Sequence, residues 1–453
     1  MDQPVSKDEL AAYLTANPAT RFIDAIYSDT SGYLRGKRYP ADTAAKLWKN
    51  GLNMPEAHFH LDVTGNSSDP LGRGFSDGDP DCTTMPVPGT LTPVPWAETP
   101  RAQVLMTQVP SARPPHVVDP RQVLARVVER FRKTGLKPVM AFELEFYLLD
   151  PKGDEKGRPQ APLLPGTDRR LVTMQANSIE EMDRFGAFIA EAEATLRQQA
   201  IPATATCTEF ATGQYEINLD HVTDPVAAAD HASLLRRAVK AVAERHGMAA
   251  TFMAKPFLDR AGSGMHVHIS LVDDRGANRF DDGSALGGPL LRHAVGGMRA
   301  AMPESMAFFA PHINAFRRYV ANMFVPVNKS WGADNRSVAF RIPAGAGDAR
   351  RIEHRVAAAD ANPYLVGAAI LAAIQHGIEN RIDPGPTAVA NVSGQVDADI
   401  PADLTAAIER MEGAKILAGA IDPLYLKIYG QVKRNEHRSF MSEIFAREYD
   451  WYL

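Results

Sequence analysis

The chain has 453 residues, 45% of them hydrophobic, and a formal net charge of −5. That length allows two or three domains with a large core, and the acidic balance excludes a polybasic surface for nucleic acid or membrane. Two cysteines, Cys82 and Cys207, without CxxC or zinc spacing, predict free thiols in a reducing compartment rather than a disulfide framework.

Residues 1–8 lack the apolar run of a signal peptide, and no window is long enough to span a bilayer, so a cytoplasmic protein is expected. Ser6 reads as the cap of a short helix to Asn17. Residues 21–27 and 33–38, joined by a Ser-Asp-Thr-Ser-Gly turn, read as a hairpin, followed by a helix over 41–50. Residues 51–100 are rich in Gly, Pro and Asp and read as a long ordered loop over a small sheet. Residues 102–106 read as the last strand of that sheet, and Ser111-Ala112-Arg113-Pro114-Pro115-His116 as a linker. Domains are therefore expected over 1–112 and 113–453.

Asp119-Pro120, Asp224-Pro225 and Asn362-Pro363 each place a capping side chain before a proline at the first helical position. They predict helices ending near Gly135, His246 and Asn380. Ser178 and Glu181 form a capping box for a helix to about Gln199, and the chain from Ala402 onward reads as helical. Strands and helices mix without strict alternation, which predicts an α+β fold.

Five stretches alternate apolar and polar residues at period two. In 139–149, Phe142, Leu144, Phe146 and Leu148 share one face, and Glu143 and Glu145 the other. Residues 208–219 carry Glu209 and Glu216; 263–271 carry His266, His268 and Ser270; 335–342 carry Arg336 and Arg341; 350–356 carry Arg351, Glu353 and Arg355. A solvated sheet face is the ordinary explanation of one such strand. Five together, with Glu, His and Arg but no Lys, point instead to divalent cations and phosphate. That set suits phosphoryl transfer, in which metal ions bridge phosphate oxygens and arginines neutralise developing charge. No Walker A loop or GxGxxG follows a strand, so a nucleotide must be held by metals and arginines.

In these motifs the chain resembles glutamine synthetase over essentially its whole length. The resemblance rests on Glu143-Leu144-Glu145, on Glu209 with Gly213-Gln214-Tyr215-Glu216, and on Gly262-Ser263-Gly264-Met265-His266-Val267-His268. Asn335-Arg336-Ser337 and Arg351-Ile352-Glu353-His354-Arg355 before Asn362-Pro363-Tyr364-Leu365 complete it in order. It implies an N-terminal β-grasp domain and a catalytic domain built on a curved antiparallel sheet with flanking helices. It further implies a homo-oligomeric ring, a dodecamer of two hexamers, with active sites between subunits. One Mg²⁺ or Mn²⁺ would be held by Glu145, Glu209 and Glu216, and a second by Glu143, His266 and Glu353. Gly262, Arg318 and Arg355 match positions that bind L-glutamate; His268, Ser270, Arg336 and Arg341 match positions near the ATP phosphates, with Arg336 and Arg341 as catalytic arginines.

Three departures separate the chain from ammonia-using members. Ala261 replaces an asparagine that holds substrate, and Phe324 replaces the flap glutamate that holds ammonium. The loop 383–388 shows no tyrosine of the kind that is adenylylated. A phenyl ring gives bare ammonium little, but offers an organic amine apolar burial of roughly 0.8 kcal/mol per CH₂. The expected activity is ATP-dependent joining of glutamate to an organic amine through a γ-glutamyl phosphate, with ammonia-dependent glutamine synthesis as the alternative. Asp62 matches the aspartate that one subunit lends to its neighbour's amine site, or else only shapes a turn.

Overall fold

The structure, a computed structural model, describes residues 7–173 and 175–453. The expected Ser6 cap lies outside the described residues; the helix Lys7–Ala16 is present. The N-terminal sheet has strands β1 (Phe22–Ser28), β2 (Leu34–Pro40), β3 (Leu52–Pro55), β4 (Asp81–Pro86), β5 (Thr92–Pro93) and β6 (Arg101–Gln108). Their order is β2-β1-β6-β4-β3, with β5 on β6 and only β1–β6 parallel. With the helix Ala45–Asn50 between β2 and β3, this is the β-grasp arrangement. Residues 51–100 are thus not one loop over the sheet; they contribute three short strands. Pro55, Pro86 and Pro93 end them, because proline cannot donate to a ladder, and that content masked them in the sequence.

The second sheet has β7 (Lys137–Leu149), β8 (Ala203–Thr208), β9 (Gln214–Leu219), β10 (Ala249–Thr251), β11 (Met265–Val272), β12 (Trp331–Ala333), β13 (Phe340–Ile342) and β14 (Ile352–His354). The order is β12-β13-β14-β11-β7-β9-β8, with β10 on β7; all pairs are antiparallel except β12–β13. Residues 208–219 form a hairpin rather than one strand, because the turn 209–213 closes on Gly213 at φ 77°. Residues 335–342 are strand only at the end: Asn335 turns back to accept from the Ser337 amide at 2.9 Å, leaving Arg336 in a loop.

Phe142, Leu144, Phe146 and Leu148 are fully buried, facing helices that include Pro120–Arg132, Pro225–Arg245 and Pro363–Glu379. Asp119, Asp224 and Asn362 accept the amides of Arg121, Val226 and Tyr364 at 2.8, 3.0 and 3.0 Å, as their spacing predicts. Ser178 also caps, but its helix breaks at Phe185 into Ile179–Arg184 and Gly186–Gln198. One long helix, Pro289–Phe309, is absent from the sequence reading. Its Gly296-Gly297 pair and Pro303 look like breakers. The glycines serve packing: a Cβ on Gly297 would lie 2.0 Å from the Ala373 carbonyl of the neighbouring helix.

The β1–β2 turn docks on helices that flank the second sheet. Asn362 donates to the Asp29 carbonyl at 2.9 Å, Thr30 meets the Tyr425 hydroxyl at 3.1 Å, and Lys433 reaches Ser31 at 3.1 Å. Ile26 and Leu105 of the first sheet join the large core of the second.

Candidate functional site

Strand register assembles the polar face. Glu143 on β7 lies opposite His266 on β11 and Asn218 on β9, and Glu145 lies opposite Glu216. His268 pairs with Glu353 on β14, which in turn lies opposite Arg341 on β13. Five of the six expected metal residues converge on His266, itself one of them, and Glu209 joins them through Glu216. The His266 ring nitrogens lie 3.5 Å from Glu143 and 3.9 Å from each of Glu145, Glu216 and Glu353. Three groups bring their ligand atoms within 4.8 Å of one another: Glu143–His268–Glu353, Glu143–Glu216–His266 and Cys207–Glu209–Glu216. His268, expected beside phosphate, thus also reaches the carboxylates, its Nε2 standing 2.9 Å from Glu143. Arg351 donates to His268 Nδ1 at 3.0 Å, which leaves the ring proton on the nitrogen facing Glu143. Sequence reading placed Arg351 on this face without a role, because its partner depends on the β11–β14 register.

The electrostatics divide the carboxylates. Burial pushes Glu145 up to about 7 and raises Glu209, and it raises Glu216 well above the usual range; repulsion among these acids adds to it. Among the described residues no Lys or Arg lies within ion-pair distance of these three. Glu145 instead accepts from the Gly264 amide at 2.7 Å, and Glu216 from Asn218 at 3.0 Å. For Glu143 burial acts upward but bonds from His266 and His268 outweigh it, holding the carboxyl far below normal. Glu353 is lowered to about 2, burial being outweighed first by Arg355 and then by the two histidines and Arg341. A buried, uncompensated acid group of this kind, with oxygen and imidazole donors, fits divalent cations.

Arginines frame the site. Arg355 bonds Glu353; Arg341 spans Glu353 and Asp334, both at 2.7 Å. Arg318 is buried, donates to the Val356 carbonyl at 2.8 Å, and lies flat on the glycine segment. A Cβ on Gly264 would meet its guanidinium at 2.5 Å, and one on Gly262 its side chain at 2.8 Å. The Gly262 carbonyl accepts from Gln214 at 3.1 Å. Ser270 is buried on the His266–His268 face. Beside the cluster, a cavity of about 790 Å³ is lined by Arg336, Phe324, Asn335 and Ser337.

Asp62 is not among the converged residues of its own chain. Its Oδ1 accepts from the Thr64 and Asn66 amides at 2.9 and 3.0 Å, and it lines a different cavity with Tyr33, Arg236 and Glu436. Cys207, unremarked as a site residue in the sequence, lies opposite Glu216 and 4.0 Å from Glu209. Burial, with Glu216 and Glu209 next, pushes its thiol up to about 12.

No helix among the described residues is long and apolar enough to cross a membrane. The sequence matches the glutamine synthetase catalytic domain over residues 117–452. It is 40% identical over 445 residues to gamma-glutamylputrescine synthetase PuuA of Escherichia coli (strain K12), covering 98% of this chain and 94% of that one. To glutamate–isopropylamine ligase of a Pseudomonas species it is 33% identical over 389 residues, covering 85% and 83%. Among solved structures, a GmaS/ADP complex superposes with a TM-score of 0.84 at 28% identity, covering 98% of this chain and 99% of that one. With its metal-type cluster, its arginine frame and these likenesses, the chain belongs to the glutamine synthetase family.

Proposed function

We propose that the chain is an ATP-dependent ligase joining the γ-carboxylate of L-glutamate to an organic amine. The observation that carries this is Phe324, a half-exposed phenyl ring at the mouth of a carboxylate and arginine cluster, where ammonia-using members of the family carry a carboxylate. The names of the two amine-ligase relatives support it. In the first step a γ-carboxylate oxygen attacks the γ-phosphorus of ATP; the new O–P bond forms as the bond to the bridging oxygen breaks and ADP leaves. In the second the amine nitrogen attacks the acyl carbon, the C–N bond forms, phosphate leaves with the C–O pair, and nitrogen gives up a proton.

Arg318, Arg355 and Gly262 are proposed to bind glutamate, with His268, Ser270, Arg336 and Arg341 toward ATP. Glu145, Glu209 and Glu216, and Glu143, His266 and Glu353, are proposed to hold two Mg²⁺ or Mn²⁺ ions. When bound, these neutralise phosphoryl charge. Asp62 acts in a neighbour's site in this reading, supported by its place in a cavity that none of the cluster residues line, and the proposed assembly is a ring, a dodecamer of two hexamers, built from domains 1–112 and 113–453. A cytoplasmic setting fits its two free cysteines. The test is ADP release with glutamate, ATP and a panel of amines. Greatest catalytic efficiency with an organic amine is expected; if ammonia surpasses every organic amine, the chain is a glutamine synthetase instead.

A further inference from the structure

Phe210 and Phe324 are two large apolar side chains that folding leaves in solvent, 60% and 56% exposed. They come from separate segments, yet their rings stand 6.2 Å apart with an interplanar angle of 32°. Both rings stand on backbone that is tied down by hydrogen bonds. Phe210 directly follows Glu209 in the turn that joins β8 to β9, and the turn is closed on both sides. The Glu209 amide donates to the Gln214 carbonyl at 2.8 Å, and the Gln214 amide to the Ala211 carbonyl at 2.9 Å. Phe324 follows Asn322, which is held at φ 65° and donates its amide to the Ser393 carbonyl at 2.9 Å. Phe324 also lines the 790 Å³ cavity with Arg336, whose charge acts on Glu209, and Phe210 is the residue after Glu209, so the ring pair stands beside the carboxylate cluster. Of the charged residues lining that cavity, Asp334 is engaged by Arg341 at 2.7 Å, and Arg336 is a cation. Among the described residues the cavity therefore offers the Phe324 ring and a single carboxylate, Asp334, which is already paired with Arg341.

We infer that Phe210 is a specificity-determining residue: with Phe324 it forms an apolar wall that receives the carbon body of a primary amine whose chain carries no second charge. This rests on the ligase reading above. Two phenyl faces cover alkyl or aryl carbon, which bare ammonia lacks, while a distal ammonium would meet the Arg336 cation in the same cavity lining. Phe210 stands beside a metal-type carboxylate, so the chain it contacts ends near the reacting acyl group.

The test is steady-state kinetics of the full-length protein with glutamate, ATP and, in turn, butylamine, putrescine and ammonia. Wild type is expected to use butylamine with higher kcat/KM than putrescine. Phe210→Ala is expected to lower the ratio of kcat/KM for butylamine to that for ammonia about tenfold, mostly through KM for the amine. Phe210→Leu, which keeps apolar bulk, is expected to recover most of that ratio. An unchanged ratio in Phe210→Ala, or putrescine outperforming butylamine in wild type, overturns the inference while leaving the ligase reading intact. Wild type that releases no ADP with any organic amine overturns both.

Discussion

Both sheets bury carboxylates, but in opposite company. In the N-terminal sheet Asp24 is met by three arginines, Arg38 at 2.6 Å, Arg237 at 3.3 Å and Arg101 at 3.5 Å. At the second sheet a buried Glu216 and the partly buried Glu145 and Glu209 cluster with no arginine or lysine in ion-pair range among the described residues, and their carboxyls are pushed up. A charge taken from water must be neutralised, so the first arrangement is complete as it stands and the second is complete only with an added cation. A missing counter-charge, rather than acidity itself, separates a site from a structural ion pair.

That contrast breaks most visibly at Glu353. Glu353→Ala should lower acyl-phosphate formation at least about a thousandfold, because a ligand beside the transferring phosphoryl group is lost. Hydroxylamine trapping of the γ-glutamyl phosphate measures it, and unchanged turnover refutes the site. Asp24→Ala should do the reverse, costing about 2 kcal/mol of stability in denaturant titration by removing the shared partner of three partly exposed arginines, with activity per folded molecule retained. Mn²⁺ at a hundred times its Kd should stabilise the wild type by about 2.7 kcal/mol. Glu216→Gln should lose most of that gain, yet melt higher than wild type in chelator, since one of the repelling acids is gone.

A further effect, confined to acid pH, concerns His60, buried in the N-terminal region. Burial, then the charge of Arg73, lowers it to about 3 from its ordinary 6.5. The unfolded chain therefore binds the extra proton and the folded one does not. This contribution to stability is present in full above pH 6.5 and is lost as pH falls toward 3. The loss approaches about 1.4 kcal/mol per pH unit within that window. Acid titration of His60→Gln should be correspondingly flatter; identical slopes count against it.

The site was more legible in the sequence than the scaffold around it. Period-two alternation in 139–149 exposes Glu143 and Glu145 without any tertiary information, and the Asp-Pro and Asn-Pro caps mark helix starts by local chemistry alone. The β8–β9 hairpin was hidden because Gly213 sits inside an otherwise continuous pattern. The helix Pro289–Phe309 was hidden because glycines that permit helix contact look like glycines that end helices. Phe210 was passed over for a related reason. On a strand it would point away from Glu209, whereas on the turn it faces Phe324 across the mouth, and only the register distinguishes the two.

The two native thiols, one buried and one partly buried, have a practical use. Cys82 and Cys207 are both pushed up to about 12, burial first, so almost none of either is thiolate at neutral pH. Maleimide and iodoacetamide dyes should pass over both. A single cysteine introduced on the exposed surface should then take a fluorophore selectively, and the wild-type background can stay as it is.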